Sequence, residues 1–241
     1  ERGIRGFVAA FDPDTGEEVW RSHTVPGPGE PGNDTWPGDT WQTGGASIWI
    51  TGSYDPELNL TYWGTGNPGP WIGDQRPGDN LYTNSVVAFD ADTGELKGYH
   101  QYHHNGSWDW DEVSAPLLID VPRNGQTLKT LVHPARNGYL WMLERTANAI
   151  NFVEAQPYVD QNVFTSIDPL TGRPEYDQER KPGTNKPATF CPSLWGGKDW
   201  PPAAYNPGTG YLYIPANENL CSTIVGTEVE YVPGRGFTGA S

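Results

Sequence analysis

The stretch Trp108-Asp-Trp-Asp111 places two carboxylates two positions apart between indoles. On an extended segment residues i and i+2 point the same way, so the spacing predicts two neighbouring negative charges beside an apolar wall. Such charges repel, and the usual remedies are a bound cation or a shared proton. The pair is a candidate for metal binding, for proton abstraction, or for both. A solvated acidic turn is the alternative, and the rest of the chain has to decide.

The elements that must hold the pair are strands. The chain has 241 residues, enough for one large core or two modest ones. Its 30 Gly and 23 Pro interrupt most helical windows, and no apolar stripe of helical period survives. Eleven Trp, 12 Tyr and 7 Phe supply the core that a disordered chain would lack. The formal charge of −15 offers no footprint for nucleic acid. No apolar run approaches the roughly 18 residues of a membrane span. The sequence starts without a Met or a signal peptide and enters a strand-like pattern at once, which predicts a piece of a longer polypeptide. Cys191 and Cys221 are the only cysteines, without C-x-x-C, haem-attachment or zinc spacing, so a disulfide in an oxidising compartment fits them.

Two short repeats organise the chain. Ala10-Phe-Asp-Pro-Asp-Thr-Gly-Glu-Glu-Val-Trp20 is echoed by Ala88-Phe-Asp-Ala-Asp-Thr-Gly-Glu-Leu-Lys-Gly98, with a degenerate third copy at Met142–Asn148. Asp, Thr and Gly satisfy the bends of a hairpin turn through side-chain bonds and left-handed backbone. Tyr54-Asp-Pro-Glu-Leu-Asn-Leu-Thr-Tyr62 and Tyr205-Asn-Pro-Gly-Thr-Gly-Tyr-Leu-Tyr213 form the second pair, with Asn59 and Gly210 at the offset where a left-handed residue would close the turn. The expected fold is all-β, a β-propeller of four-stranded antiparallel blades, ahead of a β-sandwich.

These residues resemble the PQQ (pyrroloquinoline quinone) dependent alcohol dehydrogenases, the methanol/ethanol dehydrogenase group of quinoproteins. The Ala-x-Asp-x-x-Thr-Gly-x-x-x-Trp repeat is similar to the family's tryptophan-docking motif. Further loops match in the family's order: Gly44-Gly-Ala-Ser-Ile-Trp49, Gly64-Thr-Gly-Asn-Pro-Gly-Pro70, Arg76-Pro-Gly-Asp-Asn-Leu-Tyr82, Trp108-Asp-Trp-Asp111, His133-Pro-Ala-Arg-Asn-Gly138 and Gly196-Gly-Lys-Asp-Trp200. The resemblance covers essentially residues 1–241. It implies a middle segment, about three to four blades, of an eight-bladed propeller. Gly98 stands where the repeat expects Trp, so that blade contact must be filled in another way.

The resemblance also implies roles. Trp49 would be the floor under the quinone rings and Ser47 a hydroxyl donor to a PQQ carboxylate. Arg136 would contact the quinone oxygens, where a planar donor fork suits two adjacent carbonyls. Asp199, or Lys198 beside it, would be a further cofactor contact. Glu1, Asn67 and Asp109 correspond to the metal ligands, hard oxygen donors that suit calcium or a lanthanide rather than zinc. Asp111 adds a carboxylate that a trivalent ion can hold and a divalent ion holds less well, which favours a lanthanide over calcium. His103 and His104 are expected on a strand or loop leading toward the site. Cys191–Cys221 corresponds to a family disulfide.

The implied reaction is oxidation of a small primary alcohol to an aldehyde, with Asp109 as general base, a metal-polarised quinone carbonyl as hydride acceptor and a cytochrome c as electron acceptor. A bacterial periplasmic location follows from the same resemblance, which also leaves room for a homodimer. Two other readings use the same features: a non-catalytic propeller scaffold, which would need the repeats but not the polar loops, and a carbohydrate-active propeller, with aromatic sugar platforms and Asp109 in an acid–base pair.

Overall fold

The computed structural model describes residues 2–241, so Glu1, the expected terminal metal ligand, lies outside the described residues. Strands β1 (Phe7–Phe11) and β2 (Glu18–His23) form a two-stranded antiparallel sheet. Strands β3 (Ser53–Asp55), β4 (Leu60–Gly64), β5 (Ser85–Asp90) and β6 (Leu96–Gln101) form a four-stranded meander in sequence order. A second meander follows in β7 (Leu117–Arg123), β8 (Gln126–Pro134), β9 (Tyr139–Arg145) and β10 (Ile150–Pro157). The remainder is two-stranded: β11 (Phe164–Ile167) with β12 (Pro174–Tyr176), then β13 (Ala188–Phe190) with β16 (Ser222–Ile224), between which β14 (Ala204–Asn206) pairs with β15 (Tyr211–Tyr213). Among the described residues the only helices are four short 3-10 turns, which agrees with the all-β expectation.

The hairpin turns follow from their side chains. The Oδ1 atoms of Asp12 and Asp90 accept the amides two and three residues ahead, and Gly16 and Gly94 close the turns at φ +74° and +72°. A third copy with the same bonds lies at Asp168-Pro-Leu-Thr-Gly172. The sequence pattern places a degenerate copy at Met142–Asn148 instead. The chain does turn there, closed by Thr146 N–H to Ala149 O at 3.0 Å and not by an Asp carboxylate. Asn59 (φ 54°) and Gly210 (φ +71°) are left-handed, as their shared offset predicts.

Neighbouring sheets lock through these turns. Trp20 of β2 lies on Gly94, where a Cβ would come 2.5 Å from the indole, and its Nε1–H donates to Ala91 O at 3.1 Å. Phe152 of β10 covers Gly172 in the same manner. At Gly98 the docking Trp is replaced by backbone: a Cβ there would sit 2.9 Å from Ala149 C and Ile150 N, so the absent side chain is what lets the β9–β10 turn close against β6. Arg145 of β9 forms a buried ion pair with Asp55 of β3 across the two meanders and a 2.5 Å contact with Asp120 of β7 within its own. The core runs through both meanders, from Leu60, Tyr62, Val86 and Ala88 to Leu131, Trp141 and Leu143, and continues into Tyr102, Trp108 and Trp110.

Candidate active site

The Trp108–Asp111 segment lies between β6 and β7 and carries no strand. Its geometry corrects the extended reading at one residue: Asp109 adopts φ 62°, in the left-handed region that short polar side chains tolerate. Asp111 N–H returns to Asp109 O at 3.2 Å, which makes the segment a tight bend. The apolar wall is present. Trp108 and Trp110 are fully buried with ring centroids 5.0 Å apart, and their indole N–H groups donate to Arg180 O and Ser193 O, each at 2.8 Å. Both carboxylates are left half-buried beside this stacked pair.

Around Asp111 the structure gathers most of the residues singled out above. Asn67 N–H donates to Asp111 Oδ1 at 2.6 Å, and Asn67 O accepts Ala46 N–H at 3.1 Å. Ser47 O accepts Gly66 N–H at 2.9 Å. Gly66 has to be Gly, because a Cβ would stand 2.7 Å from Asp111 Oδ1 and 2.9 Å from Ser47 O. Trp49 Nε1–H reaches Asp111 Oδ2 at 3.3 Å while the residue stays 47 % exposed. Arg136 Nη1 lies 3.6 Å from Asp111 Oδ2 and 3.5 Å from Asp199 Oδ1. Burial pushes the Asp111 carboxyl above its usual range, opposed by the Arg136 charge and by the Asn67 and Trp49 donors.

Lys198 and Asp199 separate clearly. Lys198 is fully buried, with Nζ donating to Ser114 Oγ and Asp199 O, each at 2.7 Å, and burial lowers its pKa to about 8. The Asp199 carboxylate, not the Lys198 amine, is the group beside Arg136. Cys191 and Cys221 are joined as expected, in a disulfide that closes the segment carrying both residues.

One site residue carries no motif of its own. Glu112 is buried and its carboxylate meets the amides of Arg136 (3.0 Å) and Asn137 (3.4 Å) together with His133 Nε2 (2.9 Å). His103 also lies at this carboxylate, Nδ1 to Oε1 3.6 Å, with burial holding its pKa well below the usual value. His104 is elsewhere, its Nδ1 3.0 Å from Tyr176 Oη. A cavity of about 670 Å³ lies between Arg21, Tyr82, Tyr99 and Ile150 and contains none of the carboxylates gathered around Arg136. Among the described residues no group of three or more His, Cys, Asp or Glu side chains is arranged to hold a metal.

Residues 1–164 match the family "PQQ: Glucose/ethanol/alcohol dehydrogenase, beta-propeller domain". The whole chain is 36 % identical to the quinoprotein alcohol dehydrogenase PedH of Pseudomonas putida, of which it covers 44 %, and 37 % identical to the lanthanide-dependent methanol dehydrogenase of Methylacidiphilum fumariolicum, of which it covers 42 %. The structure of a europium-containing methanol dehydrogenase superposes on all of the chain with a TM-score of 0.93 at 36 % identity, 45 % of that protein being covered. The chain thus spans less than half the length of these relatives. Whole-chain similarity at this level, together with the family match over most of the sequence, shows that the chain belongs to the PQQ-dependent alcohol dehydrogenase β-propeller family.

Proposed function

We propose that this chain is the middle segment, about three to four blades, of an eight-bladed quinoprotein that oxidises a small primary alcohol to its aldehyde. The observation that carries the reading is the Asp111–Arg136–Asp199 cluster beside the exposed Trp49 ring. The residues fit a flat, polyanionic quinone. Arg136 Nε is buried with no protein hydrogen-bond partner, so the guanidinium keeps a donor beyond those used on Asp111, Asp199 and Leu194 O. Trp49 offers an open aromatic face at the same place, and Ser47 adds a hydroxyl.

In this reading Trp49 would supply the aromatic face that holds the cofactor, while Arg136 and Asp199 would hold its polar groups. When bound, PQQ supplies the two-electron acceptor for the hydride that leaves the alcohol carbon. Asp109 takes the hydroxyl proton, from a half-buried position next to the stacked Trp108 and Trp110. Asn67, Asp109 and Asp111, with Glu1, would hold a metal through hard oxygens. A lanthanide is the first reading, supported by the second carboxylate at Asp111 and by the lanthanide-dependent methanol dehydrogenase among the relatives. Calcium is the second, favoured by one observation: Arg136 already stands 3.6 Å from Asp111, which supplies part of the positive charge that a trivalent ion would otherwise bring.

A cytochrome c acceptor and a bacterial periplasmic location complete the proposal. A relative named methanol dehydrogenase [cytochrome c] subunit 1, from Methylorubrum extorquens, is 36 % identical over the whole chain and supports the acceptor. The disulfide supports an oxidising compartment. No helix among the described residues is long and apolar enough to cross a membrane. The test is dye-linked oxidation of primary alcohols by the full-length protein with and without PQQ. Activity that needs no PQQ, or its absence with PQQ and metal supplied, overturns the proposal.

A further inference from the structure

We infer that Glu112 is a positioning residue that fixes Arg136 against Asp111 and thereby sets the cation toward the cofactor. This deepens the reading of Arg136 given above and rests on it. Two consecutive carboxylates grip one arginine at its two ends: Asp111 Oδ2 faces the guanidinium at 3.6 Å, and Glu112 Oε2 accepts the Arg136 backbone N–H at 3.0 Å. The same Glu112 carboxylate accepts Asn137 N–H at 3.4 Å and meets His133 Nε2 at 2.9 Å, so the loop His133–Asn137 is bound at three points.

The other end of the brace is anchored in the preceding sheet. Glu112 N–H donates to Thr65 O at 3.1 Å, and its carbonyl packs so tightly on β4 that a Cβ at Gly64 would come 2.1 Å from it. Glu112 therefore transmits the position of the first meander to the loop at the end of β8 in the second. Burial of the carboxylate at 1 % exposure gives this geometry its selectivity, because a buried anion must keep all its donors or lose the benefit of each. A Gln at this position has one acceptor oxygen, and its amide would face either the Arg136 and His133 donors or the Asn137 donor.

The experiment uses the full-length protein carrying Glu112→Gln. In protein stripped of PQQ and metal, amide exchange of peptides spanning 133–138 accelerates by about tenfold or more while amides of β8 before His133 and of β9 keep their wild-type rates. PQQ titration of the same protein gives a dissociation constant raised by about tenfold, and in an Arg136→Ala background the further change is less than about twofold. Should Glu112→Gln not fold, His133→Gln loosens the same carboxylate and is scored alike. Wild-type exchange at 133–138, exchange accelerated uniformly through the strands, or a full additive loss in the Arg136→Ala background overturns the positioning role. If Arg136→Ala alone binds PQQ as the wild type does, the quinone assignment fails, and the exchange rates still decide whether Glu112 braces the loop.

Discussion

Asp111 Oδ2 is shared between Trp49 Nε1 at 3.3 Å and Arg136 Nη1 at 3.6 Å, so a single carboxylate oxygen ties the exposed indole to the buried guanidinium. The two groups assigned to the cofactor's face and to its edge are thus set by one side chain. Asp111 is held in turn by Asn67 N–H and by the absence of a side chain at Gly66.

Trp49→Ala removes the aromatic face and leaves the Arg136–Asp199 contact in place. The expected result is loss of PQQ affinity by about tenfold to a hundredfold, corresponding to about 1.4 to 2.8 kcal/mol. Titration of cofactor-free full-length protein, followed by quinone absorbance, measures it. Unchanged affinity removes Trp49 from the cofactor site.

Metal-free full-length protein reconstituted with PQQ and lanthanum is expected to regain more activity than with PQQ and calcium. The physical basis is the extra carboxylate at Asp111, and Asp111→Ala should shift the preference toward calcium. Full activity with calcium and none with lanthanum would leave Asp111 as a partner of Arg136, Asn67 and Trp49 and remove it from the metal ligands.

The Cys191–Cys221 bridge closes a segment of 30 positions in sequence separation that carries Lys198 and Asp199. Its removal by Cys191→Ser with Cys221→Ser is expected to cost about 3 to 4 kcal/mol in the chain-entropy account. Denaturant unfolding of the full-length protein tests the figure, and non-reducing mass spectrometry tests the bridge itself. Two free thiols in the mature protein would contradict the pairing.

Lys198 gives a pH prediction. Its pKa falls from 10.5 to about 8 in the folded protein because burial disfavours the charged amine. The unfolded chain therefore binds more protons than the folded one between about pH 8 and 10.5, so this residue's contribution to stability rises with pH across that window. The destabilising cost is fully present below about pH 8 and relieved above about 10.5. Melting temperatures of wild type and Lys198→Met should accordingly change in favour of the wild type from about pH 8 to about pH 10, and a constant difference would show that Lys198 does not titrate there.

Local chemistry is legible in the sequence and long-range partnership is not. The Asp12 and Asp90 turns, and the left-handed Asn59 and Gly210, depend on residues within a few positions of each other. The third Asp–Thr–Gly turn at Asp168 escapes notice because Leu170 stands where the other two copies carry Asp14 and Asp92, and no Trp follows it, although Thr171 and Gly172 make the same bonds. Trp49, Arg136 and Asp199 stand out through their loop motifs, and the structure brings them to one carboxylate cluster. Glu112 is hidden because its donors at 133–137 are more than 20 positions away, and a Glu after Trp-Asp-Trp-Asp reads as one more solvated acid. The bend at Asp109 is hidden for another reason: alternation of Trp and Asp suggests extended backbone, and only packing of both indoles on one side, with rings 5.0 Å apart, reveals the turn.

The most direct measurement is single-turnover reduction of bound PQQ by a primary alcohol in full-length Asp109→Asn, with cofactor content measured on the same sample. The account predicts wild-type PQQ content and a rate reduced by about a hundredfold or more, the scale of a lost general base. Quinone reduction at a near-normal rate in Asp109→Asn would contradict it.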